Sequence, residues 1–291
     1  MKFAVVANPQ KYEVRDILNA ALRWAKQNNT ELLVSQDVCS HIQIEDTSAL
    51  TVTKSDIESI EKAKLVLVMG GDGTILYTAR ISKDIGKPVL GINSGRLGFM
   101  ANTQHENLEW ALNCLISGNY SLDKRYLLKA TDNTGNEFFA LNDFVFTRKD
   151  TTSMVNIVAG YAGSLINTYW ADGLIVASPT GSTAYNLSSA GPIVVPGTDV
   201  VLVTPINPHT LTTRPLVLRS DKPLQIRIEK QQAEILFSYD GELCEIHSLP
   251  FEVEIMQSDH TFNLIHLPGQ DYFETLRNKL MWGLDNRRTK E

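Results

Sequence analysis

The residues with the most definite chemistry lie at Gly70-Gly71-Asp72-Gly73-Thr74. An apolar run, Leu65 to Met69, leads into this turn, and a helical pattern, Thr74 to Ile81, leaves it. A helix N-terminus presents unpaired N–H groups and partial positive charge, which suit a phosphate. Glycines at 70, 71 and 73 let a ligand approach those amides with no Cβ in the way. Thr74 reads as an N-cap or first-turn hydroxyl. Asp72 would repel a phosphate unless it has a task. It can accept the proton of an attacking hydroxyl, hold Mg²⁺ against phosphates, or cap the helix. Other phosphate signatures are missing: Gly86-Lys87 runs into Pro88, and no G-x-G-x-x-G follows Met69.

Two further strips carry chemistry. Gly91-Ile92-Asn93-Ser94-Gly95-Arg96-Leu97-Gly98-Phe99 also follows a buried strand pattern, so it belongs at the same sheet edge. Phe99 can stack on a base or close the core. Asp172 to Ser188, with Pro179-Thr180-Gly181-Ser182-Thr183 inside it, is rich in hydroxyls that suit ribose and phosphate oxygens, and Tyr185 adds a stacking face. A turn capping a helix is the plainer reading of that strip. Asn142-Asp143 alone reads as a loop or bulge within a strand pair. Asp240-Gly241 reads first as a hairpin turn, because Asp-Gly favours the primed turn types. His247, His260 and His266 have no metal-ligand spacing, and His209 after Pro208 reads as structural.

Elements must hold these strips in place. Apolar runs at Phe3 to Ala7, Leu32 to Val34, Leu65 to Met69 and Pro88 to Ile92 alternate with helical patterns. Those helices are carried by Val14, Ile17, Leu18, Ala21, Leu22 and Ala25, by Ile57 to Ala63, and by Leu108, Ala111, Leu112 and Leu115. This rhythm predicts a Rossmann-like, doubly wound α/β domain over 1–122. A β-rich domain over 123–269 follows, with strands at Tyr126 to Ala130, Phe138 to Phe146, Val155 to Val158, Leu174 to Ala177, Val200 to Val203, Leu224 to Ile228, Glu234 to Ser238 and Phe251 to Ile255. Tyr272 to Trp282 is helical again.

The 291 residues include 27 Lys+Arg against 33 Asp+Glu, a net charge of −6. Chains that live on the field of duplex nucleic acid usually carry the opposite sign, so no nucleic-acid partner is expected. No stretch approaches the roughly 20 apolar residues of a membrane span. The Met1 to Pro9 segment reads as a first buried strand and not as a leader. The 3 cysteines form no CxxC pair, which argues against a disulfide framework and fits reduced thiols in a cytoplasmic enzyme.

Taken together, Gly70 to Thr74, Gly91 to Phe99, Leu141-Asn142-Asp143, Asp172 to Ser188, Asn207-Pro208-His209-Thr210-Leu211 and Arg214-Pro215-Leu216 resemble the NAD kinase family. The glycine turn alone is shared with diacylglycerol, sphingosine and phosphofructo-kinases, whereas the strip Pro179 to Tyr185 points to NAD kinases. The resemblance implies Mg²⁺-dependent transfer of the ATP γ-phosphoryl group to the 2′-hydroxyl of the adenosine ribose of NAD, giving NADP; some members use polyphosphate. It implies Asp72 as general base and Gly70, Gly71, Gly73 and Thr74 as the phosphate turn. It implies NAD contacts from Asp72, Gly73, Phe99, Asn142, Asp143, Asp172, Thr183, Ala184, Tyr185, Asn186, Leu187 and Ser188. Mg²⁺ or another divalent metal would be carried by the ATP phosphates, with no side-chain cluster for it. It also implies that a C-terminal helical segment, 270–291, returns to the first domain, and that the chain forms a homodimer or homotetramer. The chain departs from the family at Trp170, where many bacterial members carry a basic residue, and at Glu242, where some carry Gln; both would line the dinucleotide site. A lipid or sugar kinase of the same superfamily, or a non-catalytic dinucleotide-binding protein, is the alternative.

Overall fold

A computed structural model describes residues 1–95, 98–149, 153–229, 234–244, 246 and 249–282. Arg96, Leu97, His247 and the stretch 283–291 of the expected C-terminal helical segment lie outside the described residues. The chain divides into two compact units, Met1–Lys124 with Phe262–Glu291, and Arg125–Thr261.

In the first unit, β1 (Lys2–Ala7), α1 (Tyr12–Gln27), β2 (Glu31–Ser35), α2 (Gln36–His41), β3 (Leu50–Thr53), α3 (Asp56–Lys62), β4 (Leu65–Gly70), α4 (Asp72–Ser82), β5 (Val89–Asn93), the short β6 (Thr103–Gln104) and α5 (Leu108–Ser117) follow in order. The strands pair in parallel as β3-β2-β1-β4-β5. Every residue of β4 is buried, as a strand covered on both faces requires. Helix α1 buries Val14, Ile17, Leu18, Ala21, Leu22 and Ala25, the stripe its sequence marks. Strand order reverses between β1 and β4, and open α/β sheets bind ligands at the carboxyl edge beside such a switch point. Nearest the switch point on that edge are the loop 8–11 after β1 and the glycine turn after β4, with the loop after β5 next to them.

One boundary and two short elements differ from the sequence reading. Helix α4 begins at Asp72, two residues earlier than expected. Gly71 is its N-cap, extended at φ −108° and ψ −170°, and its carbonyl accepts the N–H groups of Thr74 and Ile75. Thr74 is thus a first-turn residue and not the cap. The short α2 and β3 carry too few apolar residues to announce themselves.

The second unit holds most of β7 (Ser121–Asp132), then β8 (Glu137–Ala140), β9 (Asp143–Arg148), β10 (Val155–Tyr161), β11 (Ser164–Ala171), β12 (Gly173–Ala177), α6 (Tyr185–Ser188), β13 (Val200–Ile206), β14 (Leu216–Arg219), β15 (Leu224–Ile228), β16 (Ile235–Tyr239) and β17 (Glu242–Cys244). It also holds the first part of β18 (Phe251–His266), which precedes α7 (Tyr272–Leu280). One antiparallel layer runs β14-β13-β12-β9-β16-β17. Another contains β11-β10-β15-β18 with the β7/β8 hairpin. Alternate residues of both layers share one core around Phe144, Phe146 and Phe237, with Phe146 and Phe237 stacked at 5.0 Å and 21°. The strand-like stretch Phe138 to Phe146 is two strands, β8 and β9, broken at Leu141-Asn142, next to the Asn142-Asp143 position that reads as a loop or bulge. The backbone groups at the break are satisfied by side chains, as described below.

The chain then re-enters the first unit. Leu264 of β18 pairs in parallel with Val89, Ile265 and Leu267 join the first core, and Gln270 Nε2 donates to Asn102 Oδ1 and Thr103 Oγ1, both at 3.1 Å. Among the described residues no helix is long and apolar enough to cross a membrane.

Candidate active site

Asp72 is the first residue of α4, but its side chain turns away from its own helix. Oδ2 accepts the backbone N–H of Phe99 at 2.9 Å, and Oδ1 accepts those of Met100 and Ala101, each at 3.0 Å. A carboxylate offers about four acceptor positions. Oδ1 is therefore filled, and Oδ2 keeps one position for an incoming hydroxyl. The loop can come this close because residue 98 is glycine: a Cβ there would lie 2.2 Å from Asp72 Oδ1. Gly70 is equally constrained, since its Cβ would meet Thr74 Oγ1 at 2.3 Å. Gly73 is exposed, with open space where a Cβ would be.

Charge at this edge comes from a residue the sequence reading passed over. Lys11 Nζ stands 3.4 Å from the place a Cβ on Gly71 would take. Lys11 ends the loop after β1, so it sits at the switch point beside the α4 N-terminus. Its position after the first parallel strand was the available signal, but that strand was legible without any partner motif. Across the turn, the buried Asn93 Nδ2 and Ser94 Oγ have no hydrogen-bond partner among the described residues. Phe99 is half-buried, and Lys279 Nζ of α7 lies 5.1 Å from its ring centroid.

In the second unit Asn142 and Asp143 sit at the β8–β9 break. Both are buried, and Asn142 Oδ1 has no partner among the described residues. Burial, and then the neighbouring Asp240 charge, push the Asp143 carboxyl up to about 7. The strip 179–183 packs directly on Asn142: a Cβ on Gly181 would lie 2.2 Å from the Asn142 carbonyl oxygen. Asp172 is held by Arg148, with Nε to Oδ1 at 2.8 Å, and accepts from Asn207 Nδ2 at 3.1 Å. Arg148 was not foreseen, since a strand-end arginine carries no motif. Trp170 is exposed, and its ring lies 4.2 Å from that of His209. Thr183, Ala184 and Leu187 are half-buried, while Tyr185, Ser188 and Glu242 are exposed.

Asn186 is the exception among the expected contacts. It is fully buried; its amide donates to the carbonyls of Ser182 and Pro192, and its oxygen accepts from Thr204 Oγ1 at 2.6 Å. Its side chain is spent on fixing the segment. Among the described residues no group of three or more His, Cys, Asp and Glu side chains is gathered as a metal site.

A glycine turn that presents an anchored carboxylate at the edge of a parallel sheet, in a chain that continues into a β-sandwich with a hydroxyl-rich strip, defines a two-domain phosphotransferase. Residues 3–120 match the model of the ATP-NAD kinase N-terminal domain and residues 141–267 that of the ATP-NAD kinase C-terminal domain. The chain belongs to the NAD kinase family. It is 34% identical over 299 residues to an NAD kinase of Flavobacterium johnsoniae and 36% identical over 295 residues to one of Cytophaga hutchinsonii, covering 99% of this chain and 100% of each relative. Among solved structures, yeast NADH kinase complexed with NADH shares the fold with a TM-score of 0.90 at 23% identity, covering 100% of this chain and 90% of that one. An Archaeoglobus fulgidus NAD kinase in complex with ATP superposes with a TM-score of 0.74 at 23% identity, covering 97% and 99%.

Proposed function

We propose that this enzyme transfers the γ-phosphoryl group of ATP to the 2′-hydroxyl of the adenosine ribose of NAD, with Asp72 as the general base. The observation that carries the reading is the single acceptor position left on Asp72 Oδ2, on a carboxylate fixed by three backbone N–H groups beside a phosphate-type turn. A hydroxyl donating to that position is oriented and recognised by one contact. Phosphoryl transfer through a loose transition state asks the protein for alignment and charge neutralisation more than for strong base catalysis. The bond between the γ-phosphorus and the bridging oxygen of ADP breaks as the bond to the ribose oxygen forms, and the hydroxyl proton passes to Asp72 Oδ2. The N–H groups at the start of α4 and the Lys11 ammonium face the donor phosphates. A divalent cation such as Mg²⁺, brought in with the donor, would supply further neutralisation of the phosphate charge.

NAD is recognised in this reading by Gly73 and Phe99 from the first unit. The second unit contributes Asn142, Asp143, Asp172 and the segment Thr183 to Ser188, with Asn186 acting through the backbone it orders. Trp170 and Glu242 border that set. A cytoplasmic homodimer or homotetramer belongs to the same reading, and light scattering of the purified protein tests the assembly. The activity is tested by mixing protein, NAD and Mg-ATP and following NADP through an NADP-specific dehydrogenase, with polyphosphate and NADH as further arms. NADP formation that stops with EDTA and returns with Mg²⁺ is expected. No NADP with any donor or acceptor overturns the reading and directs the search to lipid or sugar acceptors.

A further inference from the structure

We propose that Asp240 is a positioning residue for dinucleotide binding: its carboxylate holds the Leu141-Asn142-Asp143 backbone so that the side chains of Asn142 and Asp143 face the substrate. The inference rests on the reading above that these two residues bind NAD. Asp240 occupies the first turn position of the β16–β17 hairpin, with φ at +48°, followed by Gly241 at φ +82°. A primed turn needs both left-handed residues, and Asp-Gly supplies them. A turn aspartate ordinarily bonds its own backbone or water. This one reaches across to another segment about a hundred residues earlier. Oδ2 accepts the N–H of Leu141 at 2.7 Å, and Oδ1 accepts those of Asn142 at 2.7 Å and Asp143 at 3.2 Å.

The same three residues are gripped from the carbonyl side. Ser178 Oγ donates to the Leu141 carbonyl and accepts the N–H of Gly181 at 3.2 Å, while the Ser178 N–H donates to the Asn142 carbonyl at 2.8 Å. The Asp240 N–H donates to the Asp143 carbonyl at 3.0 Å. Strand pairing is suspended at Leu141 and Asn142 and resumes at Asp143, yet every one of these backbone groups is satisfied by a side chain or a backbone group from a distant segment. Part of this pair is not used by the fold: among the described residues Asn142 Oδ1 is buried without a partner, and the buried Asp143 forms no ion pair. A carboxylate placed beside another carboxylate is costly for stability, which points to a task outside folding. The hairpin aspartate thus sets the orientation of the binding pair without touching the dinucleotide itself.

The test is Asp240→Asn in the full-length enzyme. Asn-Gly keeps the turn type. Its amide nitrogen, however, replaces one acceptor and faces an N–H donor, so at least one of the three bonds is lost. Hydrogen bonds to charged groups are worth enough to change binding by about ten- to hundredfold. The KM for NAD should rise by that factor, while the KM for ATP stays within about threefold of wild type. Ser178→Ala, which loosens the carbonyl side, should give a smaller shift of the same selectivity and serves if Asp240→Asn does not fold. Equal changes in both KM values, or an unchanged KM for NAD, overturn the proposal. Asn142→Ala separates the two levels. If it leaves the KM for NAD unchanged, the assignment of the binding pair itself fails; if it raises that KM and Asp240→Asn does not, only the positioning role fails.

Discussion

In the proposed reaction the Asp72 carboxylate serves both catalysis and local structure, and substitutions there read out both. In Asp72→Asn one acceptor oxygen becomes a donor facing an N–H group of the 99–101 loop. Turnover should fall by at least a hundredfold through loss of the base, with the KM for NAD within about tenfold. Melting temperature should also drop, because a backbone N–H loses its acceptor, at ~1–3 kcal/mol. Turnover that survives removes Asp72 as the base. Gly98→Ala tests the same carboxylate from outside: its Cβ, 2.2 Å from Oδ1, must displace either the carboxylate or the loop. Its kcat should fall at least tenfold although no reacting group is altered; an unchanged kcat shows that the anchor is dispensable. Lys11→Ala should raise the KM for ATP by about tenfold, of the order of one charge-assisted hydrogen bond, and leave the KM for NAD alone. An unchanged KM for ATP excludes Lys11 from the donor site.

At the scale of elements, the β8–β9 break stores a pH dependence. Asp143 in the folded chain ionises only near pH 7, because burial and then the Asp240 charge oppose its anion, whereas an unfolded aspartate ionises near pH 3.9. Between those values the folded state holds a proton the unfolded state has released. Its contribution to stability is complete below about pH 4 and is lost as pH rises to about 7, by an amount of order 1–4 kcal/mol. Asp143→Asn should therefore unfold at higher urea than wild type at pH 8 and match it more closely at pH 5. A difference of equal size at both pH values contradicts the assignment. This break also shows where sequence reading stops. The β4–turn–α4 unit was legible because apolar run, glycines and helical period are all local. Asn142-Asp143 was readable as a loop or bulge inside the strand-like stretch Phe138 to Phe146, but what holds it was not, because the groups that satisfy its backbone, Asp240 and Ser178, lie far along the chain. Asp240-Gly241 was readable as a turn, but its carboxylate's partners were not. Arg148 and Lys11 were unreadable for the same reason: each gains its meaning from a neighbour that only the fold supplies.

At the scale of the whole molecule, the first unit is discontinuous, and its closure depends on residues after 261. Leu264 adds a parallel partner to β5, Ile265 and Leu267 enter the first core, and Leu276 of α7 is 2% exposed. Burying three such side chains is worth about 1.5–3 kcal/mol each, against a total of ~5–15 kcal/mol for a domain. A chain ending at Thr261 keeps every residue of the second unit but opens the first, leaving β5 without its parallel pairing to Leu264 and Asn102 and Thr103 without Gln270. Its thermal unfolding should split into two transitions, with the first at least about 10 °C below that of the intact chain. Limited proteolysis should then cut within residues 1–124 before 125–261. Leu276→Ala in the intact chain should lower the same transition by a few degrees, because one cavity costs less than a missing strand and helix. If the shortened chain melts in one transition within about 2 °C of the full chain, the first unit holds its parallel sheet without the returning segment, and the last strand and helix must be explained by some role other than stability.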